Sequence, residues 1–535
     1  MSGVAVETDV LIIGAGASGG VAAQHLASQG IAVTCLEQGE WPDPARFVGR
    51  RAEYEIVSSP RWSPNPNVRL QEPDYPVDIS EADVDPMMYN GVGGSTVLWN
   101  GLWHRMLPSD FKVRSLDGVG ADWPISYDDL AECYDVIEDS FGVSGLAGDP
   151  AYPPRGAYPT PAFPIGKMGA KFGEAMNRLG WHWWPGANAI PSRAHGNQNA
   201  CVRRGVCGTG CADGAKAATY ITHWPAAIEA GARLITGARV REITLDANGV
   251  ATGAIYIDRS GMEQVARAHV VILCANGIGT PRLMLMSQSG RFPNGLSNSS
   301  GLVGKGLMLH PTALATGIVD DFMDTWTGPM GQVANSMQFY ETDRARGFVR
   351  GSKWSLAITG GPMGLASGLP LWGEPLQQTM LGMFGHMMNV LCFAEDLPED
   401  SNRVVLDGEL TDSDGLPAPK IFYRLGENTQ RIIDFNLDKA EEALKEAGAR
   451  QVFKTTVQRS FGGAHLMGSA RMGLDPQTSI VNEWGRTHDV PNLYVFDGSV
   501  FVTGGAVNPT ATICALALRF ARRLAETRRD QRVAA

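Results

Sequence analysis

The stretch "TDVLIIGAGASGGVAAQHLASQGIAVTCLEQGE", residues 8–40, decides the fold. Val10 to Ile13 form a short, wholly apolar run, as expected for a strand buried on both faces of a parallel sheet. Gly14, Gly16 and Gly19 follow with G-x-G-x-x-G spacing, and a helix to about Gln29 comes next. Glycines at this spacing provide a tight turn, close backbone approach to a pyrophosphate and close packing of helix on strand. The amides of the helix N-terminus, Ser18 among them, then face the phosphates. A second apolar run, Ile31 to Leu36, ends at Glu37, the acid expected on the adenosine ribose hydroxyls about twenty residues after the glycines. Strand, turn, helix, strand and acid in register predict dinucleotide binding. Gly16, Ser18 and Gly20 also spell a hydrolase nucleophile elbow, but only one strand precedes them and Glu37 would then have no role.

The wider composition fits an ordinary soluble globular protein. The 535 residues are 44% hydrophobic and 19% charged, enough to bury a large core. A net charge of −11 argues against general affinity for nucleic acid or anionic lipid, since phosphate binding needs clustered Lys and Arg. The basic run "RFARRLAETRRDQR", 519–532, reads as a solvated helix end whose cations suit the dipole. No apolar run has the length of a transmembrane segment, and "MSGVAVETDV" does not read as a secretory signal. The expectation is a cytoplasmic protein, with export on a signal-bearing partner left open.

Four further stretches carry a family resemblance: "YNGVGGSTVLWNGLWHRM" (89–106), "HVVILCANGIGTPRLMLMS" (269–287), "GAHLMGSARMG" (463–473) and "NLYVFDGSVFVTGGAVNPTATICALALRFARRL" (492–524). Together with the opening motif they resemble the glucose-methanol-choline (GMC) oxidoreductases along the whole chain, most of all the bacterial flavin-dependent glucose and gluconate dehydrogenases, with pyranose oxidases more distant. The resemblance implies an α/β protein: a Rossmann-like FAD-binding domain of GMC type and a substrate domain with a mostly antiparallel β-sheet and flanking helices. It places residues 1–115, 195–311 and 456–535 in the first domain and 116–194 and 312–455 in the second. Residues 231–261 read as strands broken by the turn signals Asn248-Gly249 and Ser260-Gly261, compatible with antiparallel pairing.

The resemblance also assigns residues. Gly91, Gly93, Gly94, Ser95, Thr96 and Asn100 would lie against the flavin and its pyrophosphate, Val240 against the cofactor, and Asp497 with Gly498 beside the ribityl chain and phosphates. Leu98 stands where relatives with a covalent flavin carry histidine, so a noncovalent FAD is expected. His465 matches the base facing the flavin, and Asn508 the second residue beside it. Asn508 followed by Pro509 also reads as an N-cap and first residue of the helix carrying Ile513, Leu516, Ala517, Phe520, Ala521 and Leu524.

The reaction implied is oxidation of an alcohol to a carbonyl, a sugar or glycoside hydroxyl being favoured. His465 would take the hydroxyl proton, Asn508 would bind the same oxygen, and the hydride would pass to flavin N5. Oxygen-dependent oxidation of a bulkier alcohol and a redox-neutral lyase of the same fold remain open. The spacing of Cys201, Cys207 and Cys211 resembles the iron-sulfur segment of the glucose dehydrogenase branch. A free-thiol loop, or one disulfide and a spare thiol, is the other reading. A cluster would imply an electron-acceptor protein or quinone. Substrate contacts are expected from Trp99 to Arg105, from "GWHWWPG" at 180–186 and from the Met- and aromatic-rich region 322–395.

Overall fold

The computed structural model describes residues 4–51, 53–56, 74–459 and 462–534, without the side chains of Val4, Ala5 and 529–534, the end of the basic tail. The first strand, Val4–Ile13, pairs in parallel with Val33–Leu36 on one side and Glu263–Leu273 on the other. Val10, Leu11 and Ile12 are completely buried, as expected for a strand covered on both faces. Helix Ala17–Ser28 returns the chain between the first two strands and packs on the C-terminal helix Thr510–Ala534. Arg233–Ile235 and Leu493–Val495 add parallel strands from distant parts of the chain.

The turn signals at Gly249 and Gly261 hold, with φ of +81° and +80°. The strands they separate, Arg239–Leu245 and Ala251–Ile257, extend this first sheet in antiparallel fashion. Antiparallel pairing is therefore not confined to the second sheet.

That second sheet has six strands in the spatial order Gln451–Thr455, Thr312–Ile318, Met387–Ala394, Ser352–Ala357, Ala334–Ser336 and Trp184–Pro185, each antiparallel to its neighbour. Alternation along a strand sends successive side chains to opposite faces. Met388, Val390, Cys392 and Ala394, with Trp354 and Leu356, pack on Phe172 of helix Gly166–Leu179 and on Ile432, Ile433 and Ala440 of helix Glu427–Glu446. The opposite face carries Leu391, Phe393 and Lys353. A smaller sheet joins Asp78–Ala82, Pro417–Tyr423 and Arg403–Thr411. No helix among the described residues is long and apolar enough to cross a membrane.

A buried polar seam ties the second sheet to the segment that leads into the C-terminal helix. Arg350, 1% exposed, forms an ion pair with fully buried Asp110. The Tyr340 hydroxyl donates to Asp110 Oδ2 at 2.8 Å and accepts from the Ala506 amide at 3.0 Å. Glu395 Oε1 accepts from the Gly505 amide at 3.1 Å, and Thr503 Oγ1 donates to the Asp110 carbonyl at 2.9 Å. Burial raises the Asp110 and Glu395 carboxyls against the opposing pull of Arg350. The Arg350→Met variant leaves Asp110 without its cation, a loss of about 3–5 kcal/mol for a broken buried pair. It should melt several degrees below the wild type in differential scanning calorimetry; an unchanged midpoint would show the pair to be dispensable.

Candidate active site

One cavity runs between the two sheets. Its first section is lined by Gly14, Gly16, Ser18 and Glu37, by Gly91, Gly94, Ser95, Thr96 and Asn100, and by Val240. Gly14 has φ +104°, and a Cβ there would meet the Cys274 carbonyl, so the turn admits only glycine. Gly94 has φ +52°, and a Cβ on it would lie 2.8 Å from Gly16 Cα, so the two glycine loops touch backbone to backbone. Gly19 does not line the cavity: its missing side chain lets helix Ala17–Ser28 close onto the Gly14 carbonyl. Gly93, also outside the lining, makes room for Val97 and Tyr220.

These features fit a dinucleotide. Helix Ala17–Ser28 begins at Gly16 with no side chain capping its first amides, which stay available to an anion. Glu37 ends its strand inside the cavity, its two oxygens accepting from the Ala15 and Gly39 amides at 2.8 Å each. A carboxylate oxygen can accept more than one hydrogen bond, so capacity remains for a ribose hydroxyl. Asn90, which the sequence reading passed over, lines the same cavity with a buried Nδ2 that has no protein partner. A buried donor without a partner is costly and points to a polar ligand.

Asp497 and Gly498 also line the cavity. Asp497 already accepts from the amides of Ser499 at 2.9 Å and Asn276 at 3.0 Å, and from the hydroxyls of Ser499 and Thr280. Its first task is to hold the Gly498–Val500 turn against the start of helix Asn276–Met286.

At the far end the cavity reaches His465, which is half-buried, together with Asn508, His310, Leu391 and Phe393. His465 Nε2 lies 3.0 Å from Asn508 Nδ2, and His465 Nδ1 lies 3.0 Å from His310 Nδ1. Burial, His310 and Lys353 together hold the His465 imidazole well below the usual histidine range. It is therefore a neutral ring with a lone pair available at neutral pH. The Phe393 ring stacks on it at 6.1 Å between centroids.

Its small neighbours have a use. Gly468 and Gly504 admit no side chain, since one on Gly504 would run into His310 Nε2 and one on Gly468 into the Gly306 carbonyl. Helix Thr510–Ala534 starts one residue later than the Asn-Pro signal indicates, so Asn508 does not cap it. The Asn508 side chain is instead committed to His465 and to Lys353, whose Nζ donates to Oδ1 at 2.8 Å.

His310 and Lys353 were not found by sequence reading. His310 sits in "GLMLHPT" with φ +52°, and nothing in the local pattern marks it. Lys353 leaves a faint trace as the one cation in the otherwise uncharged strand "SKWSLA".

Two expectations are corrected. Cys201, Cys207 and Cys211 do not form a ligand set: among the described residues no group of three or more His, Cys, Asp or Glu side chains is placed to hold a metal. All three are free thiols, and two of the sulfurs have separate backbone partners, Cys201 accepting from the Arg203 amide and Cys211 from the Lys216 amide, each at 3.3 Å. The "GWHWWPG" segment does not reach the cavity. Trp181 packs on Phe339 and Trp354, and His182 Nε2 binds Asp149.

The N-terminal model of the GMC oxidoreductases matches residues 8–312, and the C-terminal model of the same family matches 398–517. The chain belongs to the GMC oxidoreductase family. It is an FAD-binding oxidoreductase of CH–OH groups. It is 42% identical to a 2-methyl-1,2-propanediol dehydrogenase of Mycolicibacterium austroafricanum, over 97% of this chain and 95% of that one. A fructose dehydrogenase large subunit of Gluconobacter japonicus is 30% identical over 97% and 98%, and a paromamine 6'-oxidase of Streptomyces fradiae 31% over 97% and 91%. Among solved structures, a pyridoxine 4-oxidase from Mesorbium loti superposes with a TM-score of 0.65 at 19% identity, covering 96% of this chain and 99% of that one. That likeness is one of fold.

The touching glycine loops give a direct test. Gly94→Ala should purify with less than about half the wild-type FAD per chain, because the added methyl must displace the Gly16 backbone at a left-handed position. Full FAD content, read from the flavin-to-protein absorbance ratio, would show that the loops can part.

Proposed function

We propose that this enzyme oxidises the hydroxyl-bearing carbon of a compact alcohol, a small vicinal diol first, with His465 as base and Asn508 as the donor that holds the hydroxyl oxygen. The observation that carries this is the placing of His465 Nε2 and Asn508 Nδ2 at 3.0 Å from each other on one cavity wall. An alcohol oxygen that comes within reach of both would donate its proton to the imidazole while accepting from the second N–H of the amide. Bound FAD supplies the acceptor for the electron pair of the C–H bond. Gly14, Gly16, Ser18, Asn90, Gly91, Gly94, Ser95 and Thr96 would hold its phosphates and flavin, with Glu37 and Val240 at the adenosine and Asn100, Asp497 and Gly498 along the middle. Leu98, buried in the lining, offers no nucleophile for a covalent link, which supports a noncovalent flavin.

The lining near the base supports a compact, largely apolar substrate. Trp99, Leu102, Leu391 and Phe393 dominate, with Thr312 as the polar group from the second sheet. The diol dehydrogenase relative at 42% identity supports the same choice. A sugar hydroxyl is the second reading, favoured by the fructose dehydrogenase and paromamine oxidase relatives.

Anaerobic mixing with 2-methyl-1,2-propanediol, other small diols, fructose and glucose separates these readings. The diols should bleach the flavin absorbance, and His465→Ala should slow bleaching by about 10²–10⁴-fold, the usual contribution of a positioned base. A His465→Ala rate equal to wild type would overturn the assignment. Readmitting air tests the acceptor: rapid return of colour marks an oxidase, and slow return a dehydrogenase that passes electrons to a quinone or a protein.

The pH dependence follows from the depressed imidazole. The base is competent above its own pKa and is lost only as pH falls through that value. With burial and Lys353 holding it well below the usual 6.5, the reduction rate should stay level from pH 8 to about pH 6 and fall only in more acid solution. An acid limb centred at or above 6.5 would contradict the electrostatic picture.

A further inference from the structure

We infer that Lys353 is a positioning residue for the oxidation: its side-chain nitrogen locks the Asn508 amide in the one orientation that fixes the tautomer of His465. The inference rests on the reading of His465 as base.

Lys353 lies in the middle of strand Ser352–Ala357, directly opposite Phe393 in the neighbouring strand. It is completely buried, with its Nζ 4.1 Å from the centre of the Phe393 ring. No carboxylate lies within ion-pair distance of it among the described residues; its hydrogen-bond partner is Asn508 Oδ1, at 2.8 Å. A lysine buried without an acid is costly, so its retention needs a reason beyond stability.

Hydrogen-bond polarity supplies that reason. Burial holds the Lys353 amine well below the usual lysine range, but with or without its charge Nζ carries N–H donors, and the bond it makes is to Oδ1 of the Asn508 amide at 2.8 Å. Nδ2 must then point to His465, 3.0 Å from Nε2. Because Nδ2 is a donor, His465 Nε2 must carry the lone pair, and the ring proton must sit on Nδ1. There it is donated to His310 Nδ1 at 3.0 Å, which leaves the His310 proton on Nε2, a buried atom with no partner among the described residues. Each partner in the chain Lys353, Asn508, His465, His310 thereby has one role. Reversing the amide would take from Lys353 the one acceptor it has among the described residues and turn the lone pair of His465 away from Asn508. The positive charge also explains why Lys353 depresses the imidazoles of His104, His310 and His465.

The test compares Lys353→Met, which removes the donor, with Lys353→Gln, whose amide keeps one. Nitrogen-15 spectra of the histidine-labelled, FAD-bound full chain report the tautomer without any substrate, with the His465 signals assigned by their loss in His465→Gln. Wild type and Lys353→Gln should show an unprotonated Nε2 and a protonated Nδ1 at His465, whereas Lys353→Met should show a mixture. Flavin reduction by 2-methyl-1,2-propanediol should slow about tenfold or more in Lys353→Met, the loss of one oriented hydrogen bond, and stay within about threefold in Lys353→Gln. In an Asn508→Ala background the Lys353→Met change should have almost no further effect, because its action passes through the missing amide. A wild-type tautomer in Lys353→Met, or a rate loss that persists undiminished beside Asn508→Ala, would overturn the inference. Should Lys353→Met not fold, equal and large losses in Lys353→Gln with an unaltered tautomer would overturn it as well. If no alcohol bleaches the wild-type flavin, the functional reading fails by itself while the spectra still decide the role of Lys353.

Discussion

The organisation of this enzyme depends on keeping polar groups dry in the seam between two sheets. An unpaired buried polar group costs about 1–3 kcal/mol or more, so each one placed there dictates where its partner must be. Arg350 calls for Asp110 and Glu395, and these in turn hold the backbone that runs from Thr503 to Ala506. That segment leads into Asn508. The wall of the cavity that carries Asn508 is thus held by a network whose members flank the strands of the second sheet or, like Asp110, lie in the short helix Pro108–Phe111.

This explains what the sequence makes legible and what it hides. The nucleotide half is local: Val10 to Glu37 contains its own strand, turn, helix and acid, and periodicity with glycine spacing suffices to place them. The seam is not local. Asp110 and Arg350 are 240 residues apart, and Lys353 and Asn508 are 155 apart. No short-range pattern ties such pairs together. His465 and Asn508 were reached only because family resemblance carries long-range information, whereas His310 and Lys353, outside the stretches quoted for that resemblance, went unseen. Asn508 was half understood: the Asn-Pro pair truthfully announces a helix, but a starting signal one residue out of place assigns the side chain to a cap it does not make.

The aromatic and methionine-rich stretch 379–393 shows a second limit. Composition alone does not divide its residues between cavity and core. Strand alternation does, once the strand is known: Leu391 and Phe393 face the site while Met388, Val390 and Cys392 face the helices. The cysteine loop illustrates the converse, because spacing in sequence does not guarantee convergence in space. Its anchor is Lys216, buried and donating to the carbonyls of Val97, Trp99 and Cys207 at 2.6–2.9 Å. The loop serves to brace the segment that carries Ser95 to Asn100 against the cavity.

Electrostatics at the seam also bear on the direction of proton flow. Burial, with His310 and Lys353 adding to it, keeps His465 neutral, which prepares it to accept a proton. The same surroundings penalise the imidazolium that results. A base so disfavoured in its charged form is a poor resting place for the proton unless negative charge appears nearby at the same moment. In an alcohol oxidation it does, since an electron pair leaves the carbon for the cofactor as the hydroxyl proton reaches Nε2. On the proposed reading of His465 as base, a ring kept neutral by burial, with a lysine where a carboxylate would be the intuitive choice, suits a reaction in which the proton and the electron pair leave the substrate together.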